Sequence, residues 1–315
     1  MRRREVLGLG AALAGALLGG CSAGPHVAPS GAAQPALGGP KLRLLCMNVW
    51  VGGRRGLATP EASIQRTLDV LRAADVDVIA LQEHDGLAEF YAAELGMVAT
   101  VQDRSTAVLS RWPVLGTSPP KWGVQLETPN FGPLWVFNAH LPAAPYQPYQ
   151  LSGIEYHGGR FVTSAAEAIT EARLARGEPA LRLLRELSAA LASGEPLLLA
   201  GDFNEPSHLD WTTACVDARL REHAVEWPTS RLFTEAGLID TYRALHPDPV
   251  HRPGFTWTPR PDGRDVMDRI DLVYASPHLI PIRAEVLGES GPMTDQALEP
   301  WPSDHRALRV EFALP

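Results

Sequence analysis

Several polar residues stand where apolar runs of this sequence stop. The run Leu197-Leu198-Leu199-Ala200 continues into Gly201-Asp202-Phe203-Asn204, which delivers a carboxylate and a carboxamide two residues apart. Residues 76–81 lead to Gln82-Glu83, residues 42–47 to Asn48, and the aromatic-rich residues 134–137 to Asn138-Ala139-His140. Asp271 lies between apolar neighbours, and Asp304-His305 precede the last apolar stretch. Taken singly, each has a bland reading: an Asp/Asn turn bonded to its own backbone, or a satisfied core histidine. Together they are a heavy polar load, because burying such groups costs several kcal/mol each unless they are paired or bind a cation. Convergence on one site offsets that cost. Oxygen ligands from Glu and Asp suit Mg²⁺ or Mn²⁺, whereas two imidazoles are too few for a three-histidine zinc site. Phosphate-ester hydrolysis needs an oriented or deprotonated water, charge offset on the phosphoryl oxygens, a stabilised leaving oxygen and an ester held in line. Carboxylate, imidazole and carboxamide groups match those needs. Asp304 and His305 can serve two jobs, since neighbours in an extended segment point to opposite sides.

Strand ends must carry these groups. The patterning predicts strands over residues 42–50, 76–81, 107–111, 134–141, 197–200, 254–258, 268–274 and the last apolar stretch before the C-terminus, with residues 280–286 as an edge strand. Four apolar residues before Asp202 read as a central strand covered on both faces, with Gly201 allowing a sharp turn at its end. Helices are expected over 61–74, 86–95, 160–192 with a break near Gly177 and Pro179, and 231–237. Residues 142–159 have neither period, and hold Tyr146, Tyr149, Tyr156 and His157. Loops of that length are usually functional or mobile, so a substrate wall and plain surface packing are both open readings.

The 315 residues allow one large domain or two modest ones. A formal net charge of −8, with Lys only at positions 41 and 121, argues against a non-specific nucleic-acid binder, which gains affinity from surplus positive charge. Arg2-Arg3-Arg4 and an apolar run to Leu18-Gly19-Gly20-Cys21 read as an export signal of twin-arginine type ending in a lipobox. Residues 1–20 are thus expected to be removed, residues 21–40 to form an Ala/Gly/Pro-rich tether, and Cys21 to carry a lipid anchor on the outer face of a bacterial membrane. Cys46 and Cys215 read as buried thiols.

The ordered set Met47-Asn48, Gln82-Glu83, Asn138-Ala139-His140-Leu141, Gly201-Asp202-Phe203-Asn204, Arg269-Ile270-Asp271 and Ser303-Asp304-His305-Arg306 resembles the endonuclease/exonuclease/phosphatase superfamily across residues 41–313. The resemblance implies a four-layer α/β sandwich with two central mixed β-sheets, and a single catalytic domain over residues 41–315. It implies Glu83 as main Mg²⁺ ligand, helped by Asn48 and Asp304. It implies Asp202 on the nucleophilic water, Asn204 on the scissile phosphate, and His305 on the phosphate with Asp271 as its buried partner. His140 would stand opposite, against the phosphoryl oxygens or leaving group, and no covalent intermediate is expected. The expected activity is an exported Mg²⁺-dependent phosphoesterase, Mn²⁺ also serving, that acts as a monomer on a phospholipid, sugar or inositol phosphate with no stable nucleic-acid partner. A secreted nuclease and a catalytically idle surface-binding module are the alternatives.

Overall fold

The computed structural model describes residues 39–257 and 266–314. The expected export signal falls outside them, as do Cys21 and nearly all of the tether. Strand β1 (Lys41–Asn48) is followed by a short helical turn, α1 (Trp50–Gly53), and by α2 (Pro60–Ala74). The Thr59 hydroxyl caps α2 by accepting from the Ala62 amide, and Pro60 occupies the first turn, where no amide is needed. Next come β2 (Val78–Gln82), α3 (Ala88–Leu95), β3 (Val98–Val101), β4 (Ala107–Ser110), β5 (Val114–Thr117), β6 (Gly123–Thr128) and β7 (Gly132–His140). A short helix, α4 (Gln147–Leu151), interrupts the expected loop, and the long α5 (Ala165–Ser193) follows. The central strand β8 (Leu197–Asp202) leads to α6 (Thr213–Asp217), α7 (Pro228–Glu235), β9 (Ile239–Asp240) and α8 (Thr241–Leu245). The described chain closes with β10 (Asp271–Ala275), β11 (Ile280–Gly288), β12 (Gln296–Ala297) and β13 (Ala307–Ala313).

The strands form two mixed sheets, ordered β12-β11-β13-β1-β2-β4-β3 and β5-β6-β7-β8-β10-β9. Alternation along each strand builds the layers. Leu44 and Cys46 of β1, Val78 and Ala80 of β2, Val136 of β7, Leu198 and Ala200 of β8, and Val273 of β10 share one buried cluster between the sheets. The intervening residues pack outward, Leu45 and Ile79 beneath α2 and α3, and Phe137, Leu197 and Leu199 beneath α5 and α7. This is the expected four-layer α/β sandwich.

Four local expectations change. Helix α5 runs through Pro179 unbroken, because Ala172, Ala180, Leu183 and Leu187 keep one face of it buried on both sides of the proline and so offset a missing backbone bond. Strand β11 is not an edge, since β13 pairs with it on one side and the two-residue β12 on the other. Residues 254–258 were expected to be a strand, but within the described part Trp257 makes only isolated bridges, to Asp268 and His305.

Gly201 does not end β8 in a turn either. It lies within the strand, and a Cβ there would come 2.2 Å from the Ala139 carbonyl oxygen of β7. Its φ of +154° is also one that side chains rarely adopt. A Gly201→Ala substitution is therefore expected to lower unfolding stability by about 3 kcal/mol, read by urea denaturation. A loss below about 0.5 kcal/mol, the scale of a surface substitution, would show that β7 and β8 separate freely.

Candidate active site

The inward-facing series that make the middle of the sandwich apolar end in polar residues at one rim. Two positions beyond Cys46 stands Asn48, and two beyond Ala80 stands Gln82. Two beyond Ala200 stands Asp202, and four beyond Val136 stands His140. Register aligns them across strands: His140 pairs with Asp202 between β7 and β8, Asp202 with Asp271 between β8 and β10, and Asn48 with Gln82 in the other sheet. Three neighbouring strands thus present His140, Asp202 and Asp271 in one row.

Asp202 is the hub. Its Oδ2 accepts from Asn48 Nδ2 at 3.1 Å and lies 3.5 Å from His140 Nε2 and 3.8 Å from His305 Nε2. Its Oδ1 accepts from the Asn204 amide at 2.9 Å. Asn48 also donates to Glu83 Oε1 at 3.1 Å, so one carboxamide bridges two acids of opposite sheets. Glu83 is held by the turn after β1, where the Val51 amide donates to Oε2 at 2.9 Å and the Gly52 amide to the Glu83 carbonyl at 2.6 Å. Trp50, Val51, Glu83 and Asn204 all take left-handed φ values between 49° and 57°. Such strain, greatest for β-branched Val51, tends to gather at functional sites.

His305 sits in the loop before β13, tied by Ser303, whose hydroxyl donates to the Asn48 carbonyl at 2.7 Å and accepts from the His305 amide. Its Nδ1 meets Asp271 Oδ2 at 2.9 Å. Burial works against charge on this imidazole, yet Asp271 and Asp202 outweigh it and raise its pKa to about 10. Burial likewise pushes the Asp271 carboxyl up while His305 pulls it down. With the proton held between them, the pair is an imidazolium facing a carboxylate. Thr256 fixes this pair by accepting from the Ile270 and Asp271 amides.

Asp304 is raised to about 6, first by burial and then by Glu83 and Asp202, against the pull of His305. Its buried Oδ1 has no hydrogen-bond partner among the described residues. Glu83, Asp202 and Asp304 therefore leave negative charge that the described residues do not neutralise, and an orphaned carboxylate oxygen within it. A hard divalent cation fits both features. Asp202, Asp271 and His305 also bring ligand-type atoms within 4.8 Å of one another. In that trio His305 Nδ1 is committed to Asp271.

His140 is oriented by Ser105, whose hydroxyl meets Nδ1 at 2.6 Å, and Ser105 is set by its amide bond to Asp103 Oδ1. Nothing in the local pattern singled out Ser105. Asn204 keeps its predicted place beside Asp202, but its Nδ2 donates to the Leu141 carbonyl at 3.0 Å, bracing the exit of β7. Asn138 sits deeper. It accepts from Gln82 at 2.7 Å and donates to the Leu81 and Ala107 carbonyls, which joins the two sheets rather than facing a ligand.

The arrangement can take a proton from water at Asp202, face developing negative charge with two imidazoles, and hold a divalent metal beside both. The profile described as "Endonuclease/Exonuclease/phosphatase family" matches residues 45–305. The chain belongs to the endonuclease/exonuclease/phosphatase family. It is a metal-dependent phosphoric ester hydrolase, using Mg²⁺ or Mn²⁺. Among similar proteins, an uncharacterized protein of Caenorhabditis elegans is 25% identical over 301 residues, 87% of this chain and 91% of its own. An AP endonuclease from Archaeoglobus fulgidus superposes with a TM-score of 0.55 at 17% identity, covering 87% of this chain and 100% of its own. A Neisseria 3′ phosphatase solved with a product DNA hairpin gives 0.54 at 16% identity, covering 86% and 99%.

These neighbours overturn the expectation of no nucleic-acid partner, since the same fold is used by proteins that process DNA. Net charge sums the whole chain and does not report the charge at one rim. The rim that holds Glu83, Asp202, Asp271 and Asp304 is locally acidic, and a divalent cation bound there would reverse the sign a phosphate meets.

Proposed function

We propose that the enzyme hydrolyses phosphate esters of nucleic acid, by direct attack of water, outside the cytoplasm. The observation that carries this reading is the row His140–Asp202–Asp271 standing at one rim of the sandwich with His305 against it. Larger cavities lie elsewhere, one of about 620 Å³ between α5 and α7 and one of about 300 Å³ beside Trp211. Neither is lined by Glu83, Asp202 or His305, and the cavity that reaches this centre, beside His140, Leu141 and Pro142, is smaller at about 110 Å³. The DNA-processing neighbours support the same choice.

In this reading Asp202 accepts the proton of the attacking water as its oxygen bonds to phosphorus and the ester oxygen departs. His305, kept protonated by Asp271, faces the phosphoryl oxygens, and His140 stands on the other side of Asp202 toward the phosphoryl or leaving oxygen. Asn204 steadies the scissile phosphate with the amide hydrogen that Leu141 leaves free. Glu83 and Asp304 would hold the metal, with Asn48 beside them as a further ligand. When bound, Mg²⁺ supplies positive charge against the phosphoryl and leaving oxygens. The Arg2-Arg3-Arg4 start, the apolar run and Cys21 support export and a lipid tether.

The test is Mg²⁺-dependent turnover of abasic duplex DNA, 3′-phosphorylated DNA, plasmid, sphingomyelin and inositol phosphates, each repeated in EDTA. DNA turnover that stops in EDTA and resumes with Mg²⁺ is the expected result. Turnover of lipid or inositol phosphate with DNA untouched would overturn the nucleic-acid reading.

A further inference from the structure

The strap between β7 and α5 carries rings that the reaction above does not use. Tyr146, Tyr149, Tyr156 and His157 stack edge to face in sequence, with ring centroids 4.9, 5.5 and 4.4 Å apart and interplanar angles of 82–89°. The series starts in the core, where buried Tyr146 donates to Asp268 Oδ2 at 2.7 Å. It ends at the surface, with Tyr156 half-buried and His157 exposed at a left-handed φ of 46°. The Tyr156 hydroxyl has no hydrogen-bond partner among the described residues. Geometry ties the series to the reacting centre: Trp257 donates from Nε1 to the Tyr149 hydroxyl at 3.1 Å, its ring lies 4.8 Å from the His305 imidazole, and Tyr156 and Trp257 pack against the same cluster of Tyr146, Tyr149 and Ile270, the last beside Asp271.

The strap is braced from below. Arg176, fully buried in α5, donates to Gln147 Oε1 at 2.5 Å and to the Pro145 and Ala143 carbonyls at 3.0 and 3.3 Å. Gln150 ties the far side through the Arg160 carbonyl at 2.6 Å. Tyr156 packs against Tyr149 of this braced segment, and a ring supported in that way loses less freedom when it meets a ligand, as a stacking surface requires.

We propose that Tyr156, with His157 behind it, is a stacking wall for the unpaired base next to the scissile phosphate, making the enzyme selective for nucleotides whose base is free of a duplex. This rests on the nucleic-acid reading above and narrows its substrate to single strands, ends and extruded nucleotides. Base–aromatic stacking tolerates any base, so the selection is for an aromatic neighbour and not for sequence.

The full-length enzyme is assayed on paired oligonucleotides that differ only in whether the sugar beside the cleaved phosphate carries its base. The expected kcat/KM ratio favours the base by about tenfold or more, within the range of one base–aromatic stack. It collapses toward one in Tyr156→Leu and survives in Tyr156→Phe, which keeps the ring. A ratio near one in the wild type, or one that Tyr156→Leu leaves unchanged, overturns the wall. Because the measure is a ratio, general damage to the site does not imitate it. If no oligonucleotide is cleaved, the nucleic-acid reading falls by itself. Calorimetric titration of deoxyadenosine monophosphate against deoxyribose 5-phosphate then decides the wall: a preference for the base that Tyr156→Leu abolishes upholds it, and no preference overturns it.

Discussion

An Asp202→Asn variant is expected to lose about 10²–10⁴ in kcat, the range for removing a positioned general base, while remaining folded. Asp202 is 1% exposed and both its oxygens are used, Oδ1 by the Asn204 amide and Oδ2 by the Asn48 carboxamide. Asparagine can accept only one of those bonds and sets its own NH₂ against the other donor, a cost of about 1–3 kcal/mol. The substitution also removes one charge from a cluster that already holds Glu83, Asp271 and Asp304, which offsets part of that cost. Stability should change little, and the rate a great deal. Steady-state turnover on the best substrate, with thermal unfolding alongside, separates the two effects. Wild-type turnover in a folded Asp202→Asn enzyme would remove Asp202 from the role of base.

Much of this site could be read in the sequence because strands export their pattern. In β1, β2, β7 and β8 an apolar residue at every second position fills the space between the sheets, and the next polar residue on that face must emerge at the rim. Asn48, His140 and Asp202 were found that way. Residues that support them from other elements were not. Arg176 lies in an amphipathic helix, where an arginine reads as solvent-facing, and it is buried only because residues 143–147 fold across it. Ser105 lies in a turn, and its partner His140 is 35 residues away. Asn138 has the same inward direction as His140 but sits two residues deeper, where the opposite sheet supplies Gln82. Periodicity gives direction and not depth, so a bridge between sheets and a ligand at the rim looked alike. Gly201 was misread for a related reason: its missing side chain serves a close approach to β7, which only the paired strand reveals.

The second large effect is expected from Asp271→Asn, and its signature is in pH. His305 is raised from its ordinary 6.5 to about 10 because Asp271 and Asp202 outweigh burial. For a base raised on folding, the stabilisation is complete below about pH 6.5 and is lost as pH rises through about 10. The wild type should therefore keep an imidazolium facing the phosphate throughout the neutral range, with an alkaline fall in kcat/KM near pH 10. Asparagine can still accept from Nδ1 but carries no charge, so Asp202 alone remains to hold the proton. The alkaline limb should move down from pH 10 toward the ordinary histidine value, and kcat at pH 8 should fall by about 10²–10⁴-fold. Thermal unfolding should follow the same direction, the variant losing stability between pH 7 and 9, where the wild type still holds its charged pair. Thr256 binds the backbone at residue 271 and is untouched by the change, so the strand itself stays in place. A rate profile from pH 6 to 10 decides the matter: an alkaline limb that stays near pH 10 in Asp271→Asn would mean that Asp202, not Asp271, sets the charge on His305.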